Sequence, residues 1–292
     1  MIGHFADAAA EARFRDVYAA ALARLPEPVA EHEVPTGFGR VHVRRFGHDE
    51  RTPLVLLPGR SGSTAMWEPN LPVWAAQRRV YAVDVLGDAG SSVQERPLRD
   101  ASDQAAWLAA TLAGLGLGRA HLVGASFGGW LAVNLALHDA AAVASLSLLD
   151  PACVFARFPV RMVVASLAAL PASPRWVRER MLSWIADGAP VDEEPVAQVI
   201  SAAMREYRIA TPPPAYPRDD ALRALRVPTL ALIAGRSRIH HPQRALERTR
   251  LLPDVRAELW ADASHAISGE CASVVNARVL GFLESVEGRK TS

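Results

Sequence analysis

Gly124-Ala-Ser126-Phe-Gly128 sets a serine between two glycines, each two residues away. The string gains meaning from its flanks. His121-Leu-Val-Gly124 reads as a short buried strand, and Trp130 to Leu137 reads as a helix. A strand that turns straight into a helix crowds its neighbours, so the residues two before and two after the serine must be small. Such a corner lifts the hydroxyl above the sheet edge and turns the amide of Phe127 towards a reacting carbonyl. The helix N-terminus adds a favourable partial charge for an oxyanion. The bland alternative is a serine that caps a helix in a glycine-rich turn. With strand and helix both in place, Ser126 is expected to be a nucleophile.

A nucleophilic serine needs a base. His265, in Ala261-Asp-Ala-Ser-His265, falls between the last expected strand and the last expected helix. That loop lies at the carboxyl edge of a parallel sheet, the edge that also carries Ser126, so its imidazole is the candidate base. A backbone-bonded loop histidine is the alternative, and the chain has nine histidines. Pro58-Gly-Arg60-Ser61-Gly-Ser63 follows the apolar run Leu54 to Leu57 and is the natural source of a second oxyanion donor. The amide of Arg60 is the first choice and that of Ser61 the next, beside the amide of Phe127. His240 and His241 are adjacent and lack a third ligand at suitable spacing, so they read as loop residues and no metal is expected. Asp84 and Asp88 also read as loop residues.

The elements that must position these groups alternate. Gly39 to Phe46 has the pattern of a half-exposed strand, and Leu54–Leu57, Val80–Val83 and Val143–Leu149 have that of buried ones. Helical stretches separate them, from about Ala101 to Leu115 and after Ser126, and an N-terminal helix is expected within residues 1–25. The expected fold is α/β, a mostly parallel sheet with helices on both faces. Strand signals stop at Asp150-Pro151. Helical patterning follows from Val160 to Leu170, Pro174 to Ile185 and Pro195 to Tyr207, closing on the proline-rich Thr211 to Pro217. Strand signals resume at Thr229 and again at Val255. This divides the chain into a first core segment (1–150), a helical cap insertion (151–218) and a second core segment (219–292). Phe155 or Trp184 of the cap is expected to reach the pocket. Trp67, Trp130, Trp176 and Trp184 could line an apolar acyl site or pack in core and cap.

Composition narrows the partners. Half of the 292 residues are hydrophobic and the formal net charge is +1, which gives nucleic acid and anionic membranes no electrostatic hold. Lys290 is the sole lysine; the cationic charge is otherwise arginine. No run of about 18 apolar residues is present to span a bilayer, and the acidic N-terminal stretch lacks the order of a secretory signal. Cys153 and Cys271 are too few for a disulfide framework. A cytoplasmic protein with a small-molecule partner, neither nucleic acid nor membrane as partner, and room for a homodimer is expected.

The elbow, together with LLPGRSGSTAMWEPN, YAVDVLGDAGSS, SLLDPACVF, VPTLALIAG and DASHAISGE, resembles the α/β-hydrolase superfamily, and within it the capped bacterial carboxylesterase-like hydrolases. The likeness covers most of the chain, with Pro58-Gly59 where that family usually has His-Gly. It implies a cap over the pocket, ester or related acyl chemistry, and no metal or organic cofactor. It also implies a catalytic acid a few residues past Gly235, where this chain reads Arg236-Ser-Arg-Ile-His-His-Pro242 and has neither Asp nor Glu. Asp150, at the end of the strand after the elbow helix, is the best substitute. Asp-Pro is equally a turn signal, and on that reading the acid is absent. A serine hydrolase acting on an ester or thioester of a small organic acid is the expected function. Acyl transfer, or lyase or cyclase chemistry freed from a full triad, follows if no carboxylate serves. A ligand-binding protein without catalysis is the third reading. Dehalogenase and epoxide-hydrolase chemistry is disfavoured, because those enzymes of this fold carry an aspartate at the elbow.

Overall fold

The computed structural model describes residues 1–160, 162, 173–185 and 195–289. The expected helix from Val160 to Leu170 lies almost wholly outside them. The strands in chain order are β1 (His4–Phe5), β2 (Ala30–Thr36), β3 (Gly39–Phe46), β4 (Leu54–Leu57), β5 (Val80–Val83), β6 (Val93–Gln94), β7 (Ala120–Ala125), β8 (Val143–Leu149), β9 (Tyr207–Arg208), β10 (Thr229–Ala234) and β11 (Val255–Trp260). The first four helices are α1 (Ala8–Leu22), α2 (Leu71–Ala75), α3 (Ala101–Gly114) and α4 (Phe127–His138).

Eight strands form one path, β11-β10-β8-β7-β4-β5-β3-β2, with β6 paired to β3. From β11 to β5 the pairs are parallel; β3 is antiparallel to β5 and β2 antiparallel to β3. The chain therefore has the expected α/β-hydrolase fold, with a mostly parallel sheet. Strands β4, β5, β7, β8 and β10 are buried along their whole length, because helices cover both faces. One apolar layer holds Val55, Trp107, Leu122 and Trp130; the other holds Trp67, Trp74, Val123 and Phe282.

Strand β3 departs from its half-exposed expectation. Its polar residues His42 and Arg44 are buried. Tyr18 of α1 lies against this polar face and accepts a hydrogen bond from Arg44 (3.1 Å). Helix α1 in turn shares an apolar cluster with the helix Pro195–Glu206, through Phe14, Tyr18, Val199 and Ala203. Strand β1 pairs with β9 just after that helix. The N-terminal segment thus clasps that helix and the strand after it. Among the described residues, no helix is long and apolar enough to cross a membrane.

Register places the chemistry. Ala125 of β7 lies opposite Leu149 of β8, so Ser126 and Asp150, each the next residue, leave the sheet side by side. Leu149 lies opposite Leu232 of β10, which carries the chain on to the loop after Ala234.

Candidate active site

Ser126 precedes the first residue of α4 with φ 50° and ψ −116°. A non-glycine residue at positive φ is strained by on the order of 1–3 kcal/mol and persists only where its surroundings dictate it. Here the Ser126 amide donates to Leu149 (3.0 Å) and its carbonyl accepts from Gly129 (3.1 Å) and Ala152 (3.0 Å). The flanking glycines are sterically required. A Cβ on Gly124 would lie 2.4 Å from the carbonyl oxygen of Gly128, and one on Gly128 only 1.9 Å from that of Leu57. This close seating of α4 on β4 and β7 aims the half-buried serine out of the sheet edge.

Nε2 of His265 lies 2.9 Å from Ser126 Oγ, and its Nδ1 lies 2.6 Å from Asp150 Oδ2. The carboxylate of Asp150 is fully buried and meets four donors. Its Oδ1 accepts from the Ala234 amide (3.0 Å) and His240 Nε2 (2.7 Å). Its Oδ2 accepts from Ser237 Oγ (2.7 Å) and His265 Nδ1. Burial pushes the carboxyl pKa up, but the imidazoles of His240 and His265 more than offset it and hold the group well below the usual carboxylate range. An ionised Asp150 fixes the proton of His265 on Nδ1 and leaves Nε2 free to accept from the serine.

An alpha/beta hydrolase family model matches residues 54–278, which contain all three of these groups. The chain belongs to this family. Two Bacillus subtilis proteins, the uncharacterized carboxylesterase nap and carboxylesterase YbfK, are each 32% identical to it. The first match covers 94% of each chain and the second 93%. Among solved structures, B. subtilis carboxylesterase CesB (YbfK) superposes with a TM-score of 0.87 at 30% identity, covering 94% of this chain and 98% of its own. Naproxen esterase from the same organism gives 0.86 at 31%, covering 93% and 97%.

The loop after β4 presses against Ser126: a Cβ on Gly59 would lie 3.3 Å from Ser126 Cβ. The two oxyanion candidates in this loop differ. The Ser61 amide is already bonded to Asp88 Oδ2 at 2.9 Å. Among the described residues, neither the Arg60 nor the Phe127 amide meets an acceptor. Asp84 and Asp88 are more than loop residues. Both are buried. Asp84 accepts from the Thr64 amide (2.9 Å), the Ser91 amide (2.8 Å) and the Tyr18 hydroxyl (2.8 Å), so it ties the loop after β4 to α1. Burial raises the pKa of Asp84, and Arg44 with the loop amides brings it below the ordinary value.

His240 and Ser237 were not expected at the site. The loop after β10 carries no acid and supplies two donors to Asp150 instead. A small hydroxyl and a buried histidine beside an arginine are weak signals in a sequence. His241, by contrast, only precedes the helix Pro242–Thr249. Trp67 and Trp130 are buried in the core, and Trp176 is exposed. Trp130 donates to the Ala215 carbonyl (2.8 Å), which pins the proline-rich segment over the start of α4. Trp184 is half-buried beside Arg238, whose guanidinium carbon lies 5.4 Å from its ring centroid. Phe155 is buried in the same apolar cluster as Phe127 and Trp130.

Proposed function

We propose that this chain is a carboxylesterase that hydrolyses an ester of a small organic acid through an acyl-enzyme on Ser126. The observation that carries this reading is His265, bonded through Nε2 to Ser126 Oγ and through Nδ1 to Asp150. Ser126 Oγ attacks the ester carbonyl while Nε2 of His265 takes its proton. Asp150 stabilises the imidazolium that forms. The amides of Phe127 and Arg60 receive the oxyanion. His265 then returns the proton to the leaving alcohol, and the same groups run water through the reverse sequence to free the acid. The carboxylesterase relatives support the reaction class. Acyl transfer and lyase or cyclase chemistry are readings that start from a missing acid, and a carboxylate 2.6 Å from Nδ1 of His265 speaks against that start.

Residues 151–218 act as a cap in this reading. Support comes from the contacts that the proline-rich segment makes with Arg60 and Trp130 on either side of the nucleophile. The reading is tested by an organophosphonate and intact-mass spectrometry. One adduct on the wild type and none on Ser126→Ala is expected. A folded wild type that takes no adduct overturns it.

A further inference from the structure

Arg60 occupies a place where a cation has little reason to sit. It belongs to the oxyanion loop and is half-buried. Its guanidinium carbon lies 3.6 Å from the ring centroid of Phe127, the residue after the nucleophile. That ring stacks in turn on Trp130, at 5.4 Å and 18°. Nη1 donates to the Thr211 hydroxyl at 2.8 Å, and among the described residues the guanidinium makes no other hydrogen bond and no ion pair within 4.0 Å. Asp88 acts on it by charge without an ion pair among the described residues, and its carboxylate oxygens accept from the amides of Ser61 and Ala89. A guanidinium carries five N–H donors in a fork that matches a carboxylate, and the described residues use one of them. Stacking on Phe127 explains why the cation can rest there; it does not fill the fork.

We propose that Arg60 is a specificity residue that binds a second carboxylate on the acid portion of the substrate, so that the preferred substrates are half-esters of short dicarboxylic acids. This rests on the serine-esterase reading above. The side of the substrate follows from where protons must go. The leaving alcohol takes its proton from His265, which follows β11 at one end of the sheet path. Arg60 follows β4, on the other side of β7 from β8, β10 and β11. An anion held by Arg60 therefore belongs to the acyl part and not to the alcohol. A part-desolvated cation with open donors also gains most from an anion brought by the substrate, since water does not compete well there.

The test compares monoethyl succinate with ethyl 4-methylpentanoate, its neutral counterpart of similar shape, by pH-stat at neutral pH. In the wild type kcat/KM is expected to favour the half-ester by at least about tenfold, the value of one charge-assisted hydrogen bond. Arg60→Gln should abolish that ratio, Arg60→Lys should keep part of it, and Thr211→Val, which removes the tether but not the charge, should keep it. Reading a ratio cancels any change in folding or in oxyanion binding. A wild type that is labelled at Ser126 yet shows no preference for the half-ester, or an Arg60→Gln variant that retains the preference, overturns this inference alone. A wild type that hydrolyses neither ester and takes no adduct at Ser126 overturns the esterase reading, and this one falls with it.

Discussion

Replacing Asp150 with asparagine would change one atom and, by the geometry here, the proton on another residue. The carboxylate accepts from four donors, two on each oxygen. An amide NH2 must face one pair. It cannot face the Ala234 amide, because a backbone N–H on a buried strand cannot turn away. It therefore faces Ser237 and His265. Ser237 can rotate its hydroxyl and accept. His265 can accept only by moving its proton from Nδ1 to Nε2, and Nε2 is the atom that must take the proton of Ser126. The perturbation thus selects the wrong tautomer. In serine enzymes that exchange lowers kcat on the order of 10⁴-fold, about 5 kcal/mol in the barrier at 1.36 kcal/mol per decade. Because no group that touches the bound ester is lost, KM should change little. The assay is p-nitrophenyl butyrate turnover beside a thermal melt, since Asp150 is also a buried anchor. A folded Asp150→Asn that keeps more than about a tenth of wild-type kcat would refute the tautomer argument.

His240→Ala removes one charge-assisted bond to Asp150 Oδ1 and should lower kcat by about tenfold or more, with a melting temperature several degrees down by circular dichroism. An unchanged kcat would mean that the other three donors suffice. Gly128→Ala should leave little soluble protein, because its Cβ would meet the Leu57 carbonyl at 1.9 Å; normal expression with normal activity would contradict the elbow packing. Glu206, held down to about 2 by its hydrogen bond to Arg13 and by Arg205, joins α1 to the helix Pro195–Glu206. A depressed carboxyl stabilises above its unfolded pKa of about 4.3 and loses that contribution as pH falls towards the folded value. The melting-temperature gap between wild type and Glu206→Gln should accordingly be full at pH 6 and shrink by pH 3. A gap that stays constant would argue against the pair.

The strongest sequence signals were the ones carried by neighbours. Ser126 sits in a five-residue string whose strand and helix flanks mark a tight corner, and His265 sits in the loop between the last strand and the last helix. Asp150 needed the third dimension. Its place beside His265 depends on Ala125 pairing with Leu149, and register between strands is not written in either strand alone. His240 reaches Asp150 across 90 positions, through a loop that folds back over the end of β8. Strand β2 gave no signal because Ala30–Thr36 carries two glutamates and a proline, which an edge strand tolerates. The alternation of β3 was read from its own residues, but the cover on its polar face comes from Tyr18, more than twenty positions earlier.

The pairing of β1 with β9 has a consequence for how the chain is made. His4 and Phe5 find their partners at Arg208 and Tyr207, so this strand waits for some two hundred further residues before it can pair. Until then Phe14 and Tyr18 lack the apolar residues of the helix Pro195–Glu206 that cover them. Synthesis proceeds at roughly 5–20 residues per second, so the N-terminal helix spends on the order of ten seconds or more with an uncovered apolar face. Contacts this distant in sequence close late, because the entropy of the intervening loop must be overcome before they form. The sheet that carries Ser126 can begin to assemble around β4, β5, β7 and β8 during that interval, before β1 has its partner. A nascent chain stalled before Tyr207 would display the Ser126 turn and the unshielded helix together.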